Sequence, residues 1–421
     1  MFGIAGIRKS IKAPYVIMLS IYAVFIIYAF ISETPEALSQ GLWKILTSPS
    51  VLVTDFVAVG GLGATLLNSA IVGIVSIIML MLTKVKPNGA IIAAMWLTMG
   101  FTFFGKNIYN MIPLTCGVWL FSKFNKEPFT NYTLAALLVA TLSPTVSEIS
   151  FLGILSVPLE IFLGVTFGFL IGFIFPAISA GAVRLHAGYN LYNMGFAGGL
   201  ICMIGYAVLR NAGVDLGTAE ILSEGNTFTI AVGLYIISGA LFLCGLFMGN
   251  AKENFRGFWD IQKRSGRLVS DFYFEHGDGI FINMAALGVL ATTVALALGA
   301  ELNGLTIAGI LTIIGFGGFG KHIRNTAPIM AGAIIAAFIN MEDTGYYANI
   351  VAILFSAGLA PIAGQYGVIW GIIAGFLHLN VALHTSYLSG GMNLYANGFA
   401  AGFVAIFMLP LITALRKEKH Q

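Results

Sequence analysis

The sequence of this chain occurs twice over. Phe104, Gly105, Lys106, Ile108, Asn110 and Pro113 recur in register 215 positions later as Phe319, Gly320, Lys321, Ile323, Asn325 and Pro328. Asn190-Leu191-Tyr192 and Gly195-Phe196-Ala197 return as Asn393-Leu394-Tyr395 and Gly398-Phe399-Ala400, and Val53-Thr54-Asp55-Phe56 as Val269-Ser270-Asp271-Phe272. Shared apolar composition does not keep glycine, lysine, asparagine and proline in step, so the match is a duplication. Two similar units follow, and a site shared by both belongs between them.

The units are built for a bilayer. Of the 421 residues 58% are hydrophobic and only 9% charged, with mean hydropathy +0.91, where a soluble domain carries about 25% charge. Apolar runs of spanning length occupy residues 15–31, 66–82, 133–147, 164–183, 191–209, 228–248, 280–298, 348–363, 367–386 and 394–415. They are continuous and do not alternate, which predicts an all-α integral membrane protein and not a barrel. Two longer stretches, 90–120 and 305–338, each hold a polar knot at the centre and read either as two full spans or as a re-entrant hairpin of half-helices. Repeat one is assigned to 1–210 and repeat two to 211–421, with 249–279 as a linker. Arg8, Lys9 and Lys12 precede a retained first helix. Cys116, Cys202 and Cys244 sit in apolar runs without metal or redox spacing and read as core residues. No cofactor, metal or nucleic-acid partner is expected.

Basic residues gather in one set of loops: Lys84 and Lys86, Lys123 and Lys126, Arg184, the linker with Lys252, Arg256, Lys263, Arg264 and Arg267, and the tail with Arg416, Lys417 and Lys419. The positive-inside rule makes that face cytoplasmic in a cell (inner) membrane and puts both termini on it. Glu33, Glu36, Glu148, Glu160, Asp215, Glu220, Glu224, Glu301, Glu342 and Asp343 mark the outer loops. The basic loop 84–87 corresponds to 299–302 with Glu301, and the basic loop 122–126 to 340–345 with Glu342 and Asp343. Equivalent loops therefore lie on opposite faces and the repeats are inverted, with about seven membrane segments each. Fourteen crossings result if every segment spans, and fewer with re-entrant hairpins, the parity being unchanged.

Lys106 and Lys321, each followed four residues later by Asn110 or Asn325, interrupt apolar stretches. An intramembrane ammonium with no nearby acid fits an anionic or carbonyl-bearing solute; a turn cap or a snorkelling side chain is the structural alternative. Asp55 and Asp271 precede glycine-rich backbone, where a carboxylate takes up a coupling proton or sodium, or caps a helix. Asn190, Tyr192, Asn393 and Tyr395 open the last helix of each half and offer amide and phenol groups to a polar solute or to the partner helix. Gly164, Gly168 and Gly172, matched by Gly367, Gly371 and Gly375, form a packing face. No nucleophile elbow, Walker loop or paired-histidine zinc motif argues for an enzyme or an ATP-driven pump.

The duplicated Phe-Gly-Lys-x-Ile-x-Asn-x-x-Pro and Asn-Leu-Tyr-x-x-Gly-Phe-Ala patterns resemble a family of bacterial multi-pass membrane proteins described only as a domain of unknown function, over essentially the whole chain. That resemblance implies no activity. In architecture alone the inverted repeat is similar to nucleobase and anion transporters, and paired hairpins to urea transporters, although neither family's motifs occur here. The reading is a secondary transporter of a small polar, anionic solute, not an enzyme, working with a proton or sodium ion and compatible with a homo-oligomer. A passive channel and a membrane-embedded enzyme or lipid-handling protein are the alternatives.

Overall fold

The computed structural model describes residues 12–417 apart from 52, 215, 217, 218, 269 and 341–345, so that Arg8, Lys9, Asp215, Glu342, Asp343 and Lys419 lie outside the described residues. Helix α1 (Ala13–Ser32) begins at the face carrying Lys84 and Lys86, where the Tyr15 hydroxyl donates to the Val85 carbonyl at 2.8 Å, and ends where Glu33 accepts from the Gly63 amide at 2.7 Å. We call the first the basic face and the second the acidic face. Helix α2 (Pro35–Thr47) lies across the acidic face, burying Leu38, Gly41 and Ile45 while Glu36 and Lys44 stay in water. A short turn, α3 (Phe56–Gly60), leads into α4 (Leu62–Leu82), which returns to the basic face.

The polar-interrupted stretch is a hairpin. Half-helix α5 (Gly89–Phe101) runs inward, the backbone breaks at 102–107 with Gly105 at φ +78°, and α6 (Ile108–Phe124) runs back out. Its exit lies beside its entrance, since Thr130 Oγ1 donates to the Thr83 carbonyl at 3.4 Å. Asn68 on α4 holds the tip, donating to the carbonyls of Thr102 at 2.9 Å and Lys106 at 3.0 Å. Asn107 and Asn110 close a reciprocal capping box that starts α6. These bonds supply what hydrocarbon withholds from a broken helix. The chain then crosses as a discontinuous span, α7 (Thr133–Leu138) and α8 (Ser143–Ser150) joined by a 3₁₀ turn, and continues through α9 (Val157–Leu185) and α10 (Asn193–Asn211).

Repeat two follows the same plan upside down: α11 (Thr227–Phe247), α12 (Ala251–Ile261), α13 (Phe272–His276), α14 (Ile280–Ala297), half-helices α15 (Gly304–Phe316) and α16 (Ile323–Ile339), the broken span α17 (Tyr346–Ser356) and α18 (Ala360–Tyr366), then α19 (Val368–Thr385) and α20 (Ala396–Lys417). Asn283 donates to Gly317 and Lys321 carbonyls, both at 2.8 Å, as Asn68 does in repeat one. His322 replaces Asn107 as the cap, its Nδ1 accepting from the Asn325 amide at 3.3 Å while Nε2 meets the Arg264 carbonyl at 2.8 Å. The Tyr346 hydroxyl on the Leu298 carbonyl closes this hairpin at the acidic face. Among the described residues ten helical stretches are long and apolar enough to span, five in each half. Of the two alternatives the sequence left open, the structure has the re-entrant one, ten spanning helices and two hairpins among the described residues; five per half remains odd, as an inverted repeat requires.

The hairpins interlock. Helices α5 and α15 lie antiparallel, with Gly100 against Ala308 and Gly315 against Trp96, and every residue of α15 is buried. The Gly89 amide that begins α5 bonds both carboxylate oxygens of Asp271 at 3.0 Å, and the Gly304 amide that begins α15 meets Asp55. Asp55 also accepts from Val57 at 2.9 Å, from the Ser223 amide at 3.0 Å and from the Ser223 hydroxyl. Each half-helix thus takes its anionic N-terminal partner from the other repeat.

Two segments differ from their appearance in the sequence. The stretch 249–279 contains α12, which buries Asn254, Gly257 and Ile261 against the basic face as α2 buries Leu38, Gly41 and Ile45 on the other, 216 positions earlier. Glu148 and Glu160 are not outer-loop charges: Glu148 is buried within α8 at 1% exposure, and Glu160 sits in the first turn of α9, gathering the amides of Gly153, Ile154 and Leu155 at 2.7–3.1 Å. The glycine stripes let Gly172 touch the Leu114 carbonyl and Gly375 the Ile329 carbonyl, joining α9 to α6 and α19 to α16.

Asp55→Ala leaves the Gly304 amide of α15 without its carboxylate partner, and Asp271→Ala does the same to the Gly89 amide of α5, while Asn303 and Asn88 still cap the amides that follow. Each is expected to cost roughly 1–3 kcal/mol, read as a lowered melting temperature in detergent. Glu275→Ala, which breaks a partly exposed 3.3 Å pair with Arg264 and a 3.6 Å contact with His276, should change stability by about 1 kcal/mol or less. Equal effects of all three would refute the cross-capping.

Candidate functional site

The Asn-Leu-Tyr segments meet at the centre of the molecule. Asn190 accepts from the Tyr192 amide at 2.9 Å and donates to the Gly398 carbonyl at 2.9 Å; Asn393 accepts from the Tyr395 amide at 3.0 Å and donates to Gly195 at 3.2 Å. The Leu191 amide bonds the carbonyl of Gly358 at 2.9 Å, and the Leu394 amide that of Thr141 at 3.0 Å. Those acceptors lie at the 3₁₀ breaks of the two discontinuous spans. Every one of these long-range contacts passes from one repeat to the other. They bring Tyr192 and Tyr395 together with ring centroids 4.5 Å apart, walled by Phe316 at 5.1 Å from Tyr192 and Phe101 at 5.3 Å from Tyr395.

Lys321 belongs to this cluster and Lys106 does not. The Lys321 ammonium donates to the Tyr192 hydroxyl and lies 4.3 Å from the Tyr192 ring centroid and 5.0 Å from that of Phe316. Aromatic faces and a phenol oxygen stabilise it where no carboxylate is in range among the described residues. Lys106 donates instead to Thr98 Oγ1 at 3.2 Å and borders a separate crevice of about 220 Å³ with Val75, Met79 and Ile112, on the outer side of the bundle. The cause is local. Thr98 lies eight residues before Lys106, and the position eight before Lys321 is Ile313, which offers no hydroxyl.

Above the tyrosines a cavity of about 620 Å³ opens between the repeats on the acidic face. Phe104 and Arg210 of repeat one and Phe355, Tyr387 and Asn397 of repeat two line it. Phe355 forms the floor, packed 6.1 Å from Tyr192 and 5.8 Å from Tyr395, so the cavity ends on an aromatic layer with Lys321 behind it. The basic side is closed. There Arg267 Nε donates to the Ala187 carbonyl at 2.7 Å and its guanidinium covers Tyr189 at 4.6 Å, while Tyr189 and Tyr366 stack at 5.4 Å and share a 2.9 Å hydroxyl contact.

The sequence-derived residues separate accordingly. Tyr192, Tyr395 and Lys321 converge. Asn190 and Asn393 clamp the α10–α20 crossing through main-chain bonds. Asn110 is occupied by Asn107, Gly105 and Ser147, and Asn325 by its counterpart contacts with His322 and Gly320. Asp55 and Asp271 are helix caps. Arg210 and Phe355 were missed; Arg210 was detectable as a cation at the end of a span otherwise flanked by acids, whereas Phe355 corresponds to Leu138 and carries no repeat signal.

A family model described as "Protein of unknown function (DUF1576)" matches residues 34–211 and 250–414. No curated protein and no solved structure matches.

Tyr192→Phe removes the hydroxyl acceptor of a buried ammonium and should destabilise by roughly 1–3 kcal/mol. Lys321→Met removes that ammonium, so the double variant is expected to be more stable than the sum of the single effects by about 0.5–3 kcal/mol. Strict additivity in thermal unfolding would show that the two side chains do not interact.

Proposed function

We propose that this chain, which belongs to the DUF1576 family, is a secondary transporter of a small polar, anionic solute. The observation that carries the reading is a cavity between inverted repeats that is open to one face, floored by aromatic rings and closed to the other. The solute enters from the acidic face, meets Arg210 in the cavity wall, and moves toward Lys321 when Phe355 and the tyrosine pair separate. Release requires the Arg267–Ala187 and Tyr189–Tyr366 contacts on the basic side to open as one bundle moves against the other. A passive channel is disfavoured because the path is obstructed at two levels, by the aromatic layer and by the basic-side contacts. The gathering of Lys84, Lys86, Lys123, Lys126, Lys263 and Arg267 supports a cytoplasmic basic face in the cell membrane.

Small carboxylates and phosphates screened against purified protein should raise its melting temperature, by a stabilisation of about 2.7 kcal/mol at one hundred times Kd. Arg210→Gln and Lys321→Met should each weaken that response. Absence of any responding anion, or an undiminished response in both variants, would sink the anion-transport reading. For orientation, Lys263→Cys in a cysteine-free background should resist an impermeant maleimide in intact cells and react after lysis; reaction in intact cells reverses the assignment.

A further inference from the structure

Glu148 is the group for which the fold supplies no explanation. It sits inside α8 at 1% exposure, and among the described residues neither carboxyl oxygen has a hydrogen-bond partner. Its neighbours do not neutralise it. The titratable groups on the elements packed around α8 are Tyr109, Cys116 and Lys123 on α6, Glu160 and Arg184 on α9, and Cys202, Tyr206 and Arg210 on α10. Tyr109 is held by Ser150 at 2.7 Å and Glu160 by three loop amides; Tyr206 and Arg210 line the central cavity; Lys123 and Arg184 lie at the basic face. Cys202 is the one whose side chain interacts with the Glu148 carboxyl, and a thiol is no counter-charge. Leaving a bare carboxylate in such surroundings costs several kcal/mol, so the site is built for the neutral acid. A metal cation is a poor alternative, because a hard cation needs about six oxygen ligands and among the described residues Glu148 belongs to no group of three or more His, Cys, Asp or Glu side chains.

The segment that carries Glu148 is nevertheless joined to the cavity wall. Thr141, Thr145 and Glu148 follow one another at helical spacing, and the first two engage one loop: the Thr141 carbonyl accepts from Leu394 at 3.0 Å and Thr145 Oγ1 donates to the Met392 carbonyl at 3.3 Å. Gly390, Gly391 and Leu394 of that loop line the cavity, and both glycines have positive φ, +56° and +80°. Movement of this wall would let water reach Glu148. Repeat two has nothing equivalent, since Glu148 corresponds to Gln365, which is exposed, and the insertion 149–163 that follows Glu148 has no counterpart there.

We infer that Glu148 is the proton-binding site of this transporter, protonated while the Gly390–Leu394 wall is packed and releasing its proton when that wall opens. The inference rests on the transport reading for its purpose, but not for its test. A native state that holds a proton on Glu148 binds one more proton than the unfolded chain above the ordinary carboxyl range, so stability must fall as pH rises. Between pH 6 and 8 the unfolding constant of the wild type should rise about tenfold per pH unit more steeply than that of Glu148→Gln, which is neutral and nearly isosteric. Identical pH slopes overturn the proposal, whether or not any solute binds. Failure of the anion screen, with the slope difference present, removes the transport reading and leaves the proton site. Should Glu148→Gln not fold, infrared spectra of the wild type decide: a protonated carboxylic acid band that shifts in D₂O supports the site, and its absence at neutral pH overturns it.

Discussion

Backbone polar groups cannot be left unpaired in hydrocarbon, and this chain breaks its helices repeatedly inside it. The half-helices α5 and α15 begin on Asp271 and Asp55, and the 3₁₀ breaks in the discontinuous spans accept from Leu394 and Leu191. Each donor or acceptor comes from the opposite repeat. Each half holds its own hairpin tip through Asn68 or Asn283, but depends on the other for these N-terminal carboxylates and for the amides that meet the 3₁₀ breaks. The crossing of α10 and α20 at Gly195 and Gly398, where Gly398 touches the Gly195 backbone, brings the two tyrosines close enough to stack.

Within that symmetric frame the chemistry is asymmetric. Lys106 turns to Thr98 on α5 of its own hairpin, whereas Lys321, with Ile313 at the position equivalent to that threonine, turns to Tyr192 at the centre. The cavity opens on the acidic face only, and the Arg267, Tyr189 and Tyr366 contacts fasten the basic face. The asymmetry of the two lysines follows from residues that differ between the copies, Thr98 against Ile313, and is therefore fixed by the sequence of each repeat. The single buried Glu148 against an exposed Gln365 extends the asymmetry to charge.

Much of this was legible in the chain. Registered Lys, Asn and Pro residues identified the duplication, and the sign of equivalent loops identified the inversion, because loop charge and translocation are coupled independently of packing. Spans were legible from length and hydropathy alone. The depth of Lys106 and Lys321 was open between two readings, since an apolar stretch with a polar centre serves a pair of spans or a hairpin equally well; the Thr130–Thr83 and Tyr346–Leu298 contacts distinguish them. Glu148 read as an outer-loop acid because it stands near a turn.

Residue order alone carried the membrane class, the twofold plan and its inverted sense, all properties of composition or of local repeats of residue type, whereas the meeting of the two Asn-Leu-Tyr motifs at the centre came from packing. Tertiary structure decided which polar residues are spent on the backbone and which are free. Asn110, Asn190, Asp55 and Asp271 are consumed by main-chain partners up to 208 positions away, while Lys321 and Glu148 are left to aromatic rings and apolar side chains. That division depends on which carbonyls and amides the broken helices expose, and only the packed repeats fix it.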